Sequence, residues 1–494
     1  MISCLTSVKN LFRELDEQEI HYCIWKGNTH LQQAAQGHSD LDLLVDHRKY
    51  ERFKGILEKH DCKLMLSPPA KKIPDVEDYL GCDEKTGKCF HLHVYYKIIL
   101  GDNPFNTYRL PLEQNFLDSS KSENGFKVAS PELAVLARVV ITLLRYRNRD
   151  VIKDILAILT PGIPPKTVQT FHDLTKQTTI ERISSTLKSD VKFISPEIVI
   201  RFLEVVTKTP HSGYKIYQIR RALRKQLAAY RTYNRWQSAL RSVNIGNSSP
   251  EKKKLASRGL VVALIGADGA GKSSMLTNLS KWLSWKLKVQ LCYMGLGKRL
   301  SFGSRMTQSC ARFFSRLNNV SVAVVGNKKW LSNKLKTIYN FTYDLHYVSV
   351  AWTRYFRYLA SRKEAERGSI VLCDRYPLSG IHQVMMNSTR APMDGPQIKW
   401  KYQDGKMNWM TSHLSKLELK LYNKIYPPDC VLLLQVAPNV ALKRKPDHTP
   451  QEIEPKIQAI ENMSRNGLKI IDIDANQPFD QALLYAKEEL WKIM

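Results

Sequence analysis

The sequence lacks three features that mark well-defined protein classes. It contains no run of about 18 apolar residues, which a membrane-spanning helix requires. Its N-terminus has no basic segment followed by an apolar one, unlike a secretory signal peptide. Only 9 of its 494 residues are cysteine, too few for a disulfide-rich scaffold. We therefore expect a cytoplasmic protein without a membrane span.

Acidic residues are also scarce relative to basic ones. The chain has 46 Asp and Glu against 75 Lys and Arg, which gives a formal net charge of +29. Such an excess is typical of a protein with a partner rich in phosphate or carboxylate groups. Hydrophobic residues make up 43% of the chain, which excludes an intrinsically disordered protein. The length predicts roughly two to four domains.

Three regions of the chain differ in their residue patterns. Residues 1–129 alternate short apolar strands with helix signals, and residues 130–243 are predicted to form a helical domain. Residues 244–258 combine Gly, Asn, Ser, Pro and charged residues, which is typical of a linker. Residues 259–494 then begin with an apolar strand. The predicted fold class is α/β, with an N-terminal α+β domain, a helical connector and a C-terminal parallel sheet flanked by helices.

The strongest motif is a glycine-rich loop at residues 266–273. It reads Gly-Ala-Asp-Gly-Ala-Gly-Lys-Ser and matches G-x-x-x-x-G-K-[ST] in full. An apolar strand precedes the loop and an amphipathic helix follows it. In this context the loop amides cradle phosphates, the lysine neutralises them, and the serine hydroxyl ligates Mg²⁺. The predicted ATP-binding residues of the loop are Gly266, Gly269, Ala270, Gly271, Lys272, Ser273 and Ser274.

A second apolar strand, SIVLCD (369–374), ends in an acid. In enzymes with a phosphate loop, such an acid holds Mg²⁺ together with the loop serine. The sequence therefore predicts ATP and Mg²⁺ as cofactors, with Ser273 and Asp374 as metal ligands. Arg375 follows directly, so a group that can bind an anion stands beside the metal acid.

Taken together, the segments ALIGADGAGKSS, LCDRYPLSG and PPDCVLLLQVAPNVALKRK resemble the thymidylate kinase family of nucleoside monophosphate kinases. The resemblance covers roughly residues 258–494. It implies transfer of the γ-phosphoryl group of ATP to a nucleoside monophosphate, with dTMP as the family's acceptor. Residues 292–300 and 380–383 differ from the family pattern at the acceptor pocket. The ATP side is therefore better supported than the thymidylate side.

The resemblance also implies roles for individual residues. Four would act in catalysis: Lys272, Asp374, Arg375 and Arg444, the last of which would lie on the lid with Lys445. Four would contact the acceptor: Asp268, Arg354, Arg375 and Ser379. Ala475 and Asn476 would line the adenine pocket.

The N-terminal region contains a second candidate site. Asp40 and Asp42 lie on a predicted strand and face the same side of it, so they could share a metal in nucleotidyl transfer. With IWKGN (24–28) ahead of them, these residues resemble the nucleotidyltransferase superfamily. That superfamily supplies a third acid on a later strand, whereas the candidate strand CFHLHVYY (89–96) has none. An active enzyme and an inactive binding module both remain open.

Two basic segments, residues 214–241 and 299–336, hold much of the positive charge. Each is either a solvated surface or a docking surface for nucleic acid or another polyanion. Two alternatives to the kinase therefore remain open. One is a nucleic-acid-binding regulatory or defence NTPase, and the other is a nucleotidyltransferase or kinase of surface-polysaccharide or lipid metabolism. A homodimer is a further prediction.

Overall fold

The computed structural model divides the chain into two compact units, Met1–Ala256 and Ser257–Met494. Among the described residues, no helix has both the length and the apolar character that crossing a membrane requires. The structure describes residues 3–26, 31–101, 107–155, 162–208, 212–233, 237, 252–295, 306, 309, 313, 329–378, 381, 394–402 and 407–494.

The described part of the first unit contains a mixed eight-stranded sheet with the strand order β10-β3-β4-β5-β2-β1-β9-β8. A separate hairpin is formed by β6 and β7. The strands are β1 (Tyr22–Ile24), β2 (Asp40–Val45), β3 (Lys63–Leu66), β4 (Val76–Cys82), β5 (Cys89–Tyr95), β6 (Ile98–Gly101), β7 (Thr107–Leu110), β8 (Lys121–Glu123), β9 (Phe126–Val128) and β10 (Lys254–Leu255).

The register of the central strands sets the polar face of this sheet. β2 and β5 are parallel, with Asp40 opposite His91 and Asp42 opposite His93. β5 and β4 are antiparallel, and here His93 lies opposite Asp78. Because side chains alternate between the two faces of a strand, this pairing brings acids from β2 and β4 to the two histidines of β5.

The helices of the first unit pack on the sheet and on one another. They are α1 (Thr6–Glu17), α2 (Leu31–Ala35), α3 (Tyr50–Lys59), α4 (Glu113–Asp118), α5 (Pro131–Arg145), α6 (Asn148–Ile155), α7 (Pro165–Thr175), α8 (Ile180–Asp190), α9 (Pro196–Val206) and α10 (Gly213–Gln226). Short 3-10 turns are formed by His47–Lys49, Pro69–Lys71 and Leu227–Tyr230. α5 begins at Pro131, and the Ser130 hydroxyl before it accepts a hydrogen bond from the Leu133 amide.

The predicted helical domain 130–243 shares one hydrophobic core with the strands. Trp25 of the sheet region, Leu136 of α5 and Phe202 of α9 belong to the same buried cluster. The helices therefore complete the first unit, which differs from the expected separate domain. A local pattern cannot reveal this, because the contacts join residues far apart in the chain.

The structure also describes part of the predicted linker and part of the basic segment 214–241. Residues 254–255 of the predicted linker 244–258 form β10, which pairs with β3 through Lys254 opposite Leu66. In the basic segment 214–241, α10 ends at Gln226 and buries Ile216, Leu223 and Arg220. Part of this helix therefore packs against the core, while most of the segment beyond residue 233 lies outside the described residues.

The second unit contains a five-stranded parallel sheet with the order β12-β13-β11-β14-β15. Its strands are β11 (Val261–Gly266), β12 (Val289–Tyr293), β13 (Ile370–Asp374), β14 (Cys430–Gln435) and β15 (Ile470–Asp474). Its helices are α11 (Lys272–Leu283), α12 (Lys329–Glu366), α13 (Ile398–Lys401), α14 (Trp409–Asn423), α15 (Pro438–Arg444), α16 (Pro450–Glu461) and α17 (Phe479–Ile493). The predicted α/β class, a parallel sheet flanked by helices, is confirmed.

This strand order positions the candidate site. β11 lies between β13 and β14, with Leu264 opposite both Asp374 and Leu432. Since all five strands are parallel, their carboxyl ends meet at one edge of the sheet. In open α/β sheets, ligands bind in the crevice outside that edge. The basic segment 299–336 lies largely outside the described residues.

Candidate active site

The phosphate loop joins the end of β11 to the start of α11. Gly269 and Gly271 have φ values of 83° and 88°, in the left-handed region that favours glycine. A Cβ at Gly269 would also lie 2.6 Å from the carbonyl oxygen of Ala441. The chain therefore curls tightly into the N-terminus of α11, where backbone amides and the helix dipole favour an anion.

Lys272 folds over the loop from the first turn of α11. Its Nζ donates hydrogen bonds to the carbonyl oxygens of Gly266 and Ala267, both at 2.8 Å. Burial lowers the pKa of Lys272, although the nearby carboxylates of Asp268 and Asp374 oppose that shift. The lysine thus lies within the loop, where it can exchange carbonyl oxygens for phosphate oxygens.

Asp374 ends β13, one strand away from the loop. Among the described residues, its buried Oδ1 has no hydrogen-bond partner. Leaving a buried carboxylate oxygen without a partner costs free energy. Such an oxygen is a suitable ligand for a hard cation such as Mg²⁺. Ser273 stands in the first turn of α11 with an exposed side chain. The donor set that the sequence predicts for Mg²⁺ is therefore chemically suitable.

Asp268 of the loop contacts a residue that the sequence did not single out. Its Oδ2 accepts a hydrogen bond from Nζ of Lys456 on α16. Burial alone would raise the pKa of Asp268, but Lys456 and the nearby cations lower it. A lysine inside an amphipathic helix carries no signal for a site, so only the fold reveals this pair.

A cavity opens beside the loop on the β13 side. Six polar or loop residues and six apolar residues line it: Gly266, Asp268, Lys272, Arg375, Asp394 and Lys456, with Leu264, Ile265, Tyr376, Leu378, Ile381 and Ile460. Three cations and two acids thus converge on one apolar space. This arrangement suits a ligand with an anionic group and a hydroxyl.

Arg375 reaches this cavity from an uncommon backbone conformation. Its φ is 56°, in the left-handed region where residues with side chains are rare. Its guanidinium carbon lies 6.0 Å from the centre of the Tyr293 ring, and Nη1 lies 4.0 Å from Oδ2 of Asp394. Backbone strain of this kind persists only where surrounding contacts hold it, and it gathers at functional sites.

Arg354 lies behind the cavity rather than in its lining. It is 2% exposed, and its guanidinium donates to the Met294 carbonyl at 2.7 Å, to the Tyr422 hydroxyl at 2.5 Å and to Asp394 at 2.9 Å. Its position therefore differs from the expected direct contact with the acceptor. The physical reason is that α12 packs on the sheet and buries this side chain.

A second cavity contains Ala475, which the sequence predicts for the adenine pocket. Its lining includes Ala270, Gly271, Ser274, Arg444, Ala475 and Phe479. Nη1 of Arg444 donates to the Ala475 carbonyl at 2.8 Å, which places the guanidinium in this cavity. The structure thus puts Arg444 in one cavity with loop residues and with Ala475 of the expected base pocket.

Asn476 does not share that cavity. Its Oδ1 accepts a hydrogen bond from the Ala437 amide at 2.8 Å, and its Nδ2 donates to Asp474 at 2.8 Å. The side chain thereby fastens the turn after β14 to the end of β15, and it lines a different cavity together with Ala267 and Ala437. The remaining predicted residue, Ser379, lies outside the described residues.

The candidate site of the first unit is built from acids and histidines in contact. Asp40 Oδ1 lies 2.9 Å from Nδ1 of His91, whose Nε2 lies 3.0 Å from Asp78 Oδ1. Asp42 Oδ1 lies 3.2 Å from Nδ1 of His93. Asp78 is a further acid of this cluster that the sequence pattern did not single out, because it lies on β4, one strand beyond β5.

Cations also occupy this cluster. Nζ of Lys26 lies 3.6 Å from Asp42 and 2.6 Å from the Tyr95 hydroxyl, and Lys253 contacts Asp78. Burial lowers the pKa of Lys26 to about 8. Burial by itself would raise the pKa of Asp42. Lys26 and His93 have the larger effect, so the pKa of Asp42 lies below its ordinary value. Within the described residues, no three His, Cys, Asp or Glu side chains form a group that could hold a metal ion.

Comparisons with known proteins find relatives that match about half of the chain. The uncharacterized ATP-binding protein YghR of Escherichia coli strain K12 is 27% identical over 244 residues, which cover 46% of this chain and 85% of YghR. The uncharacterized ATP-binding protein YghS of the same strain is 27% identical over 254 residues, which cover 49% of this chain and 94% of YghS.

A solved structure of the thymidylate kinase from Candida albicans aligns with this chain at 19% sequence identity and a TM-score of 0.29. The alignment covers 48% of this chain and 91% of the thymidylate kinase chain. No protein-family model matches the chain.

Proposed function

We propose that the second unit is a phosphoryl transferase that uses ATP and Mg²⁺ and acts on a nucleoside monophosphate. One observation carries the proposal. A complete phosphate loop, with Lys272 folded over it, stands one strand from Asp374, whose buried Oδ1 has no partner among the described residues. The names of the relatives YghR and YghS, which describe ATP-binding proteins, support nucleotide binding.

On the ATP side, the loop amides and Lys272 would hold the phosphates. Lys272 would leave the Gly266 and Ala267 carbonyls and donate instead to the β- and γ-phosphate oxygens. Ser273 and Asp374 would hold Mg²⁺, which would neutralise phosphate charge when bound. Phe479 and Arg444 line the adenine cavity and would stack on the base.

On the acceptor side, Arg375 would hold the acceptor phosphate. Asp268 would accept a hydrogen bond from a sugar hydroxyl once Lys456 moves to the anionic substrate. Phosphoryl transfer requires in-line placement and charge neutralisation more than covalent chemistry, and these side chains can supply both. The resemblance to thymidylate kinases makes dTMP the first acceptor to test.

The test uses the full chain with Mg-ATP and a panel of nucleoside monophosphates, and follows formation of ADP. We expect dTMP or another monophosphate to stimulate ADP formation in wild type, and Lys272→Ala to abolish it. Lys281→Ala, at an exposed position of the same helix, is the matched control and should behave as wild type. Unchanged turnover in Lys272→Ala would end the proposal. The cytoplasmic location and the homodimer stay predictions from the sequence.

A further inference from the structure

The acceptor cavity contains an acid that the proposed chemistry does not use. Asp394 lies in the turn before α13, and its side chain is 12% exposed. It lines the same cavity as Lys272 and Arg375. By charge alone, an acid here weakens the binding of an anionic acceptor. The contacts of Asp394 therefore have to account for its place in the cavity.

The two carboxylate oxygens of Asp394 face two different arginines. Oδ1 lies 2.9 Å from Nη2 of Arg354, whereas Oδ2 lies 4.0 Å from Nη1 of Arg375. The two arginines differ in freedom, because the Arg354 side chain is 3% exposed and the Arg375 side chain is 41% exposed. Asp394 thus connects a fixed, buried guanidinium to one that reaches the cavity.

Arg354 is fixed from two further directions. Its Nε donates a hydrogen bond to the Met294 carbonyl at 2.7 Å, and its Nη1 donates one to the Tyr422 hydroxyl at 2.5 Å. These partners follow β12 and lie on α14, respectively, so Arg354 ties a strand end and a helix to the turn that carries Asp394. Asp394 itself has a φ of 58° and Arg375 a φ of 56°, so both ends of their contact use left-handed backbone.

We propose that Asp394 is the positioning residue for Arg375. With Arg354 as its fixed support, it aims the Arg375 guanidinium into the cavity, where that group binds the terminal phosphate of the acceptor. A preorganised group loses less freedom on binding than one that must be ordered by the ligand. The identity of the acceptor rests on the function proposed above, but the role of Asp394 in anion binding does not.

The sign of the effect separates positioning from simple charge. In Asp394→Asn the cavity loses a negative charge, so a charge-only account predicts a lower KM for the acceptor. Positioning predicts a KM for the acceptor that rises about tenfold, as for other residues that orient a ligand-binding group, with an unchanged KM for ATP. Asp394→Glu, which keeps the carboxylate, is expected to lie closer to wild type than Asp394→Asn.

The experiment measures both KM values by ADP formation in the full chain with Mg-ATP and dTMP. Asp472→Asn is the matched control, since it removes an Asp–Arg pair, with Arg465, outside the cavity. A KM for the acceptor that is unchanged or lower in Asp394→Asn would overturn the proposal. A KM for ATP that rises in parallel would also overturn it, because that result indicates a general structural defect.

A binding measurement keeps the test independent of the acceptor. Saturating Mg-ADP fills the phosphate loop, and inorganic phosphate is then titrated by calorimetry. We expect wild type and Asp472→Asn to bind phosphate, Arg375→Ala to lose binding, and Asp394→Asn to bind about tenfold more weakly. Equal binding by wild type and Asp394→Asn, or no binding by wild type, would overturn the positioning role. A chain that binds phosphate but uses no monophosphate would instead contradict the proposed function alone.

Discussion

In the first unit, Asp42 faces Lys26 and His93, and Asp78 faces His91 at 3.0 Å, so each acid already has a partner within the protein. In the second unit, Asp374 lies close enough to Lys272 to act on its charge, yet the buried Oδ1 of Asp374 has no partner among the described residues. The two clusters contain similar side chains. The acids of the first cluster are all paired, whereas Asp374 of the second cluster has one buried oxygen without a partner among the described residues, and this difference indicates which cluster is prepared for a ligand.

Lys272→Ala should have the largest effect and would sharpen the comparison most. Because the loop lysine acts directly on the transferring phosphates, we expect phosphoryl transfer to fall by about 10³-fold or more. The measurement is ADP formation with Mg-ATP and a nucleoside monophosphate. Lys26→Met, in the first unit, should retain transfer. Loss of transfer in Lys26→Met alone would reverse the assignment of the two clusters.

Asp78→Asn tests whether the first cluster is held by its own contacts. Asp78 is 4% exposed and accepts hydrogen bonds from Ser67 and His91, both at 3.0 Å. Removing one member of a buried ion-paired cluster costs about 3 kcal/mol. We expect faster amide hydrogen exchange in β4 and β5. Unchanged exchange there would show that the cluster does not stabilise the first unit.

Asp374→Asn is the matching change in the second unit. Unlike Asp78→Asn, it should reduce activity without destabilising the strands around it. Since Oδ1 has no partner to lose among the described residues, exchange in β11 and β13 should stay the same or slow. Phosphoryl transfer should fall by about 10²-fold, and half-maximal activity should need more Mg²⁺. A destabilised β13 together with normal activity would contradict the account.

The smallest effect concerns Glu418, a buried acid on α14. It accepts hydrogen bonds from the amides of Gln397 and Ile398, both at 3.0 Å, and burial raises its pKa from 4.5 to about 7. The folded chain therefore binds this proton more tightly than the unfolded chain. The stability that this proton provides is present below pH 4.5 and is lost as the pH rises to about 7.

Glu418→Gln should flatten that pH dependence. Between those two pH values, the free energy of unfolding of the second unit should fall by about 2 kcal/mol in wild type and by less in the variant. Denaturant unfolding followed at α14 measures the difference. An equal pH dependence of the free energy of unfolding in both proteins would show that Glu418 keeps its ordinary pKa in the folded chain.

The sequence predicted the parts of the site that are continuous in the chain. The loop from Gly266 to Ser273 follows its strand directly and opens its helix, so a local pattern specifies it. Asp374 was found because it ends an apolar strand. The α/β class was predictable for the same reason, since apolar strands and amphipathic helices alternate along residues 259–494.

The remaining features depend on which distant segments meet. Asp78 and His91 come together only through the antiparallel register of β4 and β5, which no local pattern contains. Lys456 lies in an ordinary helix, and Asp394 precedes a glycine in a turn, where aspartate is common. Arg354 was expected to contact the acceptor, but in the structure it is buried and donates to Asp394, which only the packing around α12 reveals.

The most direct test of the central claim measures ADP formation with Mg-ATP and nucleoside monophosphates in three full-length proteins: wild type, Lys272→Ala and the double variant Asp40→Asn/Asp42→Asn. The account predicts transfer in wild type and in the double variant, and its loss in Lys272→Ala. Transfer that survives Lys272→Ala but is lost with Asp40 and Asp42 would contradict the assignment of the activity to the phosphate loop.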